Sequence, residues 1–460
     1  MVRLDQETVE CNEDDAAGAS GAPVPGLLMV YSEHQARLVA LPLREREIVL
    51  GRGECAGTVL SDAAMSRQHA RVRHSGPRFE LCDLGGRNGS HVDGVRVAAN
   101  QWAPISTVAR VGSSLFLPCA DVRPYVRGEV VRRPDGRLHG PTSQAVLAAI
   151  QRAARNGSTL HLHGESGAGK EGAARDFHAA GPRAHGPFVA VNCAAIPEGI
   201  SERLLFGAKK GAFSGATGDV DGYLQAANGG TLFLDEVAEL DLAVQAKLLR
   251  VLESREVLAL GATRASAVDL RVCSATHRDL RALVADGKLR EDLYFRIGRP
   301  EVVVPPLRAR RDELPWLAQS VLGRHTGLVC SAGFLEACLL RRWPGNVREL
   351  LSEVELAAQE ALAAGAERVE AHHLAPRAGL EFRAEGAGQV VAQSGGASSE
   401  PAPARPPGGF RSAEGKEVLV ACLARTEGNV SRAARLLGLH RTQLRRLLAF
   451  HGLEASELEE

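Results

Sequence analysis

Short runs in which apolar and polar residues alternate dominate the first quarter of the chain. Arg37-Leu-Val-Ala-Leu41, Glu47-Ile-Val-Leu50, Ala70-Arg-Val-Arg73 and Arg78-Phe-Glu-Leu81 have the length and period of half-buried strands. The pairs Gly85-Gly86, Asn88-Gly89 and Asp93-Gly94 fall between or after them as turn signals. From Leu27 to Phe116 this spacing predicts an all-β sandwich. After Pro141 the pattern changes to helical stretches alternating with short apolar strands, Thr159-Leu-His-Leu162, Phe188-Val-Ala-Val191 and Thr231-Leu-Phe-Leu234. Such alternation is the mark of an α/β layer built on a parallel sheet. Glu313 to Leu374 reads as helical, Gly379 to Gly409 is rich in Gly, Ala, Pro and Ser as flexible linkers are, and Ser412 to Leu453 is again helical. The expected segments are a flexible tail (1–24), a β-sandwich (25–120), a connector (121–140), an α/β core (141–304), a helical lid (305–376), a linker (377–411) and a small all-α domain (412–455).

Composition narrows the function classes. The chain has 460 residues, enough for about three domains, and its 45% hydrophobic and 24% charged content excludes global disorder. Fifty-five basic residues balance 55 acidic ones, so a nucleic-acid surface must be local. No apolar run approaches the roughly 18 residues of a membrane span, and the acidic stretch Met1 to Asp15 argues against a secretory signal. Nine cysteines without a CxxC pair read as reduced thiols. A cytoplasmic protein with no membrane partner is expected.

Two motifs carry phosphate chemistry. Gly164-Glu165-Ser166-Gly167-Ala168-Gly169-Lys170 follows a strand and opens a helix, the GxxxxGK arrangement in which backbone N–H groups and a lysine surround phosphates. Glu171 stands where that pattern usually has a magnesium-ligating Ser or Thr. Thr231-Leu-Phe-Leu-Asp235-Glu236 is an apolar strand ending in two carboxylates. Asp235 is the candidate Mg2+ ligand and Glu236 the candidate to polarise an attacking water, which implies ATP and Mg2+ as the bound species. Between them lies Gly211-Ala212-Phe213-Ser214-Gly215-Ala216. Glycines flanking one aromatic and one hydroxyl describe a loop tip that presents Phe213 to a partner.

These motifs, in this order, resemble those of the bacterial enhancer-binding proteins, AAA+ ATPases that activate the sigma-54 form of RNA polymerase. The resemblance covers about half the chain, and Glu at position 171 agrees with it. It implies that the loop Gly211 to Ala216 grips the sigma factor, and that Asn192 hydrogen-bonds the catalytic Glu236 in one nucleotide state. Arg290 and Arg296, in Gly287-Lys-Leu-Arg-Glu-Asp-Leu-Tyr-Phe-Arg296, would reach the γ-phosphate of a neighbouring subunit, which requires a homo-oligomeric ring, expected to be a hexamer. Arg348, in Trp343-Pro-Gly-Asn-Val-Arg348, would sense the nucleotide from the lid. Three departures stand out: Ser214 for the usual Thr, His277 for a common sensor Asn, and Leu204 with Ala208-Lys209 for more polar residues before the loop.

The two ends carry recognition chemistry. Between Ser431 and Phe450 there are five arginines and no acidic residue, on a pattern of two short helices separated by Gly438. This is a helix-turn-helix with a basic second helix, and it resembles the Fis-type domain. Arg441, Thr442 and Gln443 are candidates for base edges, Arg445 and Arg446 for phosphates. In the sandwich, Gly51-Arg52, Ser66-Arg67-Gln-His69 and Asn88-Gly89-Ser90 resemble the motifs of forkhead-associated (FHA) domains, which bind phosphothreonine peptides. Arg52, Ser66 and Arg67 would meet the phosphate and Asn88 the peptide backbone, with His69 bracing the loop.

The expected function is an ATP-hydrolysing activator, tethered to promoter-upstream DNA, that remodels sigma-54 RNA polymerase under the control of a phosphothreonine-containing protein. Two other readings remain open from the sequence: a DNA-binding repressor with an inactive motor, and an AAA+ remodeller of a non-transcription partner.

Overall fold

A computed structural model describes residues 22–382 apart from 45–46, 56–57, 77, 134, 198 and 213–217, and of the C-terminal region residues 416, 418–421, 444, 447–448 and 450–451. The chain forms two compact units, Met1–Phe382 and Arg383–Glu460.

The first unit begins with two antiparallel sheets packed face to face. One holds six strands in the order 35–42, 26–32, 114–119, 109–111, 90–92, 95–96; the other holds four, in the order 102–105, 78–83, 70–75, 47–50. Strand Gly26–Ser32 is buried along its whole length. Leu27 and Met29 point into the sandwich core, whereas Leu28, Val30 and Tyr31 join a second core shared with the helical lid. The register shift between Met29 and Tyr31 puts Val30 and Tyr31 on the same side, as an inserted residue does in a bulge. Strand Ser114–Cys119 repeats the division, with Phe116 inward and Leu115 and Leu117 toward the lid.

The α/β core is a five-stranded parallel sheet. Its strands are β1 (Thr159–His163), β2 (Phe188–Asn192), β3 (Thr231–Asp235), β4 (Arg271–Thr276) and β5 (Glu301–Val303), in the spatial order β2-β3-β4-β1-β5. Helices α1 (Pro141–Asn156) and α2 (Lys170–Ala179) cover the face lined by Leu160, Leu162, Phe233 and Cys273. Helices α3 (Leu242–Ser254) and α4 (Glu291–Ile297) cover the other, lined by Leu232, Leu234 and Val272. His161 interrupts that second face: its Nδ1 lies 2.9 Å from Ser274 Oγ, and burial pushes its pKa down to about 4. The connector is ordered by its contacts. Hairpin strands Val131–Arg132 and Leu138–His139 bring Arg137 onto Asp176 of α2 in a two-pronged pair at 2.7 Å, and Leu138 joins the shared core.

The lid contains α5 (Leu314–Leu322), α6 (Ala332–Leu339) and α7 (Asn346–Ala363). A two-stranded parallel pair, Val329–Cys330 with Arg368–Val369, is an element the helical reading of Glu313 to Leu374 omits. The sandwich sits directly on this lid. The Tyr31 hydroxyl donates to the Cys330 carbonyl at 2.5 Å, and Arg110 pairs with Glu336 at 2.6 Å. The Gln319 side chain accepts from Ala36 N–H and donates to the His34 carbonyl. Together with the shared apolar core, these contacts make sandwich and lid one packed body.

In the second unit Leu419, Leu444 and Leu448 are buried. Arg441, Thr442, Gln443, Arg445 and Arg446 lie outside the described residues. Among the described residues no helix is long and apolar enough to cross a membrane.

Candidate active site

The loop between β1 and α2 wraps the head of a cavity of about 880 Å³ whose walls include Gly167, Gly169, Lys170, Asn192, Asp235, Glu236 and Arg348. Gly169, with φ of 104°, turns the chain into α2, so that the helix N-terminus faces the cavity. Gly167 (φ 72°) packs so closely on the lid that a Cβ there would stand 2.1 Å from the Gly345 carbonyl. Lys170 is buried, its ammonium 3.0 Å from the Gly164 carbonyl and 3.4 Å from Glu236 Oε1.

The strand end of β3 places the two carboxylates differently. Asp235 remains on the strand, half-buried, and burial raises its carboxyl above the ordinary value despite the Lys170 charge. Glu236 is in the left-handed region (φ 51°, ψ 47°), a costly conformation for a residue with a Cβ that is kept where surrounding contacts hold it. Its Oε2 accepts from Thr276 Oγ1 at 3.1 Å and lies 2.9 Å from His277 Nδ1. Burial opposes ionisation of Glu236, but the His277 hydrogen bond and the Lys170 charge outweigh it and hold the carboxyl below its usual range.

Asn192, expected to engage Glu236 in one state, does not do so here. Its Oδ1 accepts from the Ala194 N–H at 3.0 Å, capping its own turn, and Glu236 is taken by Thr276 and His277 instead. Glu171 is exposed and pairs with Arg175 one helical turn on. Glu165 faces the lid through Arg308, and Ala168 offers its carbonyl to Arg310 at 2.6 Å. Arg348 reaches Ser166 Oγ at 3.5 Å. Arg290 pairs with Asp292, and Arg296 donates to the Leu252 carbonyl; neither lines the cavity.

Phe213, Ser214, Gly215 and Ala216 lie outside the described residues. The base of their loop is tied down: Ala208 bridges Val220, Lys209 pairs with Asp219 at 2.7 Å, and Ala212 packs on Gly261. In the sandwich, Arg52 and Arg67 are exposed side by side, because Arg52 N–H donates to the Ser66 carbonyl. Gly51 is demanded there, since a Cβ would stand 2.0 Å from the Arg67 carbonyl. His69 is fully buried, accepting at Nδ1 from Ser66 N–H, with Nε2 at 3.1 Å from the Gly89 carbonyl; Asn88 donates to the Ala64 carbonyl.

Sequence reasoning passed over Asn346. It is fully buried, with Oδ1 accepting from Leu307 N–H and Nδ2 donating to Glu165 Oε2 and the Ser166 carbonyl. One side chain thus stitches the phosphate loop, the strand-to-lid passage and the lid together. Its signal was a polar residue next to Gly345, inside a motif read mainly for Arg348.

Comparison with known proteins agrees with this layout. The Sigma-54 interaction domain profile matches residues 138–303, the FHA domain profile 48–107, and the profile of the bacterial regulatory proteins of the Fis family 414–449. The transcriptional regulatory protein GlrR of Escherichia coli strain K12 is 36% identical over 326 residues, covering 70% of this chain and 68% of GlrR. The chain belongs to the sigma-54-dependent transcriptional activators. The response regulator protein PilR of Pseudomonas aeruginosa is 48% identical over 231 residues, covering 48% of this chain and 52% of PilR. A crystal structure of NtrX from Brucella abortus matches with a TM-score of 0.50 at 33% identity, covering 67% of each chain. Matches to PilR and to two Nif-specific regulatory proteins span 40 to 52% of those relatives' length. This member of the family has an FHA sandwich, an α/β domain of the AAA+ ATPase type with its lid, and a Fis-type helix-turn-helix region.

Proposed function

We propose that the chain hydrolyses ATP in a homohexameric ring and uses the stroke to remodel sigma-54 RNA polymerase while bound to promoter-upstream DNA in the cytoplasm. The observation that carries this reading is the convergence of Lys170, Asp235 and Glu236 on one cavity closed by Arg348 of the lid. Gly164 to Lys170 surround the phosphates, the helix dipole and Lys170 supplying positive charge where negative charge gathers. Asp235, assisted by Glu171 if its ion pair with Arg175 opens, would hold Mg2+, which when bound neutralises phosphate oxygens. Both oxygens of Glu236 are engaged, one by Lys170 and one by Thr276 and His277. A γ-phosphate would compete for Lys170 and free one oxygen of Glu236 to orient water. Asn192, the register partner of Asp235 on the adjacent strand, is the partner Glu236 would take next, and His277 the group it would leave. Arg290 and Arg296, exposed or engaged away from their own cavity, are suited to a neighbour's.

The segments fall at 1–24, 25–120, 121–140, 141–304, 305–376, 377–411 and 412–455 in this reading, with Gly211 to Ala216 as sigma contact and Arg441, Thr442, Gln443, Arg445 and Arg446 on DNA. Arg52, Ser66, Arg67 and Asn88 bind a phosphothreonine protein, and the shared sandwich–lid core carries that event to the lid. The test is ATP turnover and open-complex formation by the full chain. Lys170→Ala should lose both, and Phe213→Ala should lose open complexes while keeping turnover; open complexes formed by either variant would overturn the assignment.

A further inference from the structure

A parallel strand covered on both faces is expected to be a nearly continuous run of Val, Ile and Leu. β1 instead reads Thr159-Leu-His161-Leu-His163, and polar residues in such a strand are the informative ones. Leu160 and Leu162 supply the apolar face, so both imidazoles project from the opposite one, two residues apart. On the neighbouring β5, Glu301 is the register partner of His161 and projects from the same face. One ligand atom from each of His161, His163 and Glu301 can be chosen so that all three lie within 4.8 Å of one another.

We propose that His161, His163 and Glu301 form a binding site for a zinc-type divalent transition-metal ion. The orientation of His161 is already set for this. Ser274 Oγ donates its only proton to the Ile297 carbonyl at 3.1 Å, so at 2.9 Å it accepts from His161 Nδ1–H. That fixes the tautomer and leaves the Nε2 lone pair available, just as metal-bound histidines donate their other ring N–H to an oxygen behind them. Two imidazoles and one carboxylate suit zinc or its cobalt surrogate, whereas magnesium and calcium prefer all-oxygen sets. Ligand bonds of roughly 2.0–2.2 Å would draw the three atoms closer than they stand, and Glu301 is exposed and able to swing inward. Three protein ligands leave a fourth position for water.

The site is separate from the nucleotide cavity, whose walls include none of the three residues. It is nevertheless mechanically joined to it. His163 immediately precedes Gly164 of the phosphate loop, and Val304, the residue after β5, packs so tightly on Gly164 that a Cβ would stand 2.8 Å from its carbonyl. A bound ion would clamp the strand that carries the phosphate loop to the strand that leads into the lid.

The test is titration of the untagged, metal-stripped full chain with Co2+, without nucleotide and with excess Mg2+ present. One equivalent should give the visible absorption of a four-coordinate cobalt ion without a thiolate-to-cobalt charge-transfer band, and Zn2+ should bleach it. His163→Gln and Glu301→Gln, both outside the buried core, should each weaken binding at least tenfold with the metal-free melting temperature unchanged. No absorption at one equivalent, a thiolate band, or unaltered affinity in both variants would overturn the site.

Discussion

Arg110 joins the FHA sandwich to the lid through Glu336, and the pair offers a quantitative test of how the two are docked. The Glu336 side chain is 5% exposed and that of Arg110 23%, with Nε and Oε2 at 2.6 Å. The second Glu336 oxygen, Oε1, has no hydrogen-bond partner among the described residues. Arg110→Ala therefore strands a carboxylate in the interface. Removing one partner of a fully buried pair costs about 3–5 kcal/mol; because Arg110 is partly wet, water entering its place should reduce this to about 2–3 kcal/mol. Glu336→Gln leaves behind the more exposed cation, which can rehydrate, so it should cost only about 1 kcal/mol. The double variant Arg110→Ala/Glu336→Gln has no stranded charge and should recover to within about 1 kcal/mol of Glu336→Gln alone. Urea unfolding of the full chain, followed by the fluorescence of the lid residues Trp316 and Trp343, measures all three. Should Arg110→Ala cost under about 1 kcal/mol, or the double variant be no better than Arg110→Ala, the carboxylate is not buried and the sandwich is not seated on the lid.

Three further outcomes follow from particular residues. Asn346→Ala strands the Leu307 N–H and frees Glu165 and the Ser166 carbonyl, so it should cost about 1–3 kcal/mol and weaken nucleotide binding, read by calorimetry; unchanged affinity would refute its stitching role. Asp312 is buried beside Glu313, and burial first, then that neighbouring charge, raises its pKa from 3.8 to about 7. The folded state then binds the extra proton, so stability falls as the pH climbs from near 4 to 7 and stays low above. Asp312→Asn should match the wild type near pH 4 and exceed it by up to about 4 kcal/mol at pH 8, in thermal melts across that range; a gap independent of pH would contradict the assignment. Arg52→Ala should lose binding of a phosphothreonine peptide in a fluorescence anisotropy titration while the sandwich still folds, because Arg52 is exposed; retained binding would remove the phosphate role.

The local chemistry was legible in the sequence because it is written in short contiguous motifs. Gly164 to Lys170 must be glycine-rich to curl around phosphate, and Thr231 to Asp235 must be apolar to cross the sheet, so loop, strand and carboxylates announce themselves. The FHA motifs did the same, with Gly51 forced by the approach of the Arg67 carbonyl. Which partner each side chain chooses was decided only in three dimensions. Glu236 rests on Thr276 and His277, forty residues away in the chain, and Asn192 caps its own turn. Asn346 gains its meaning from Glu165 and Leu307, neither of them near it in sequence. The seating of the sandwich on the lid was half-written: the unbroken apolar run Leu27 to Tyr31 marks a strand covered on both faces. What covers the second face had no local signature. Periodicity reports how many sides of an element are dry, and only tertiary packing determines which surface keeps them so.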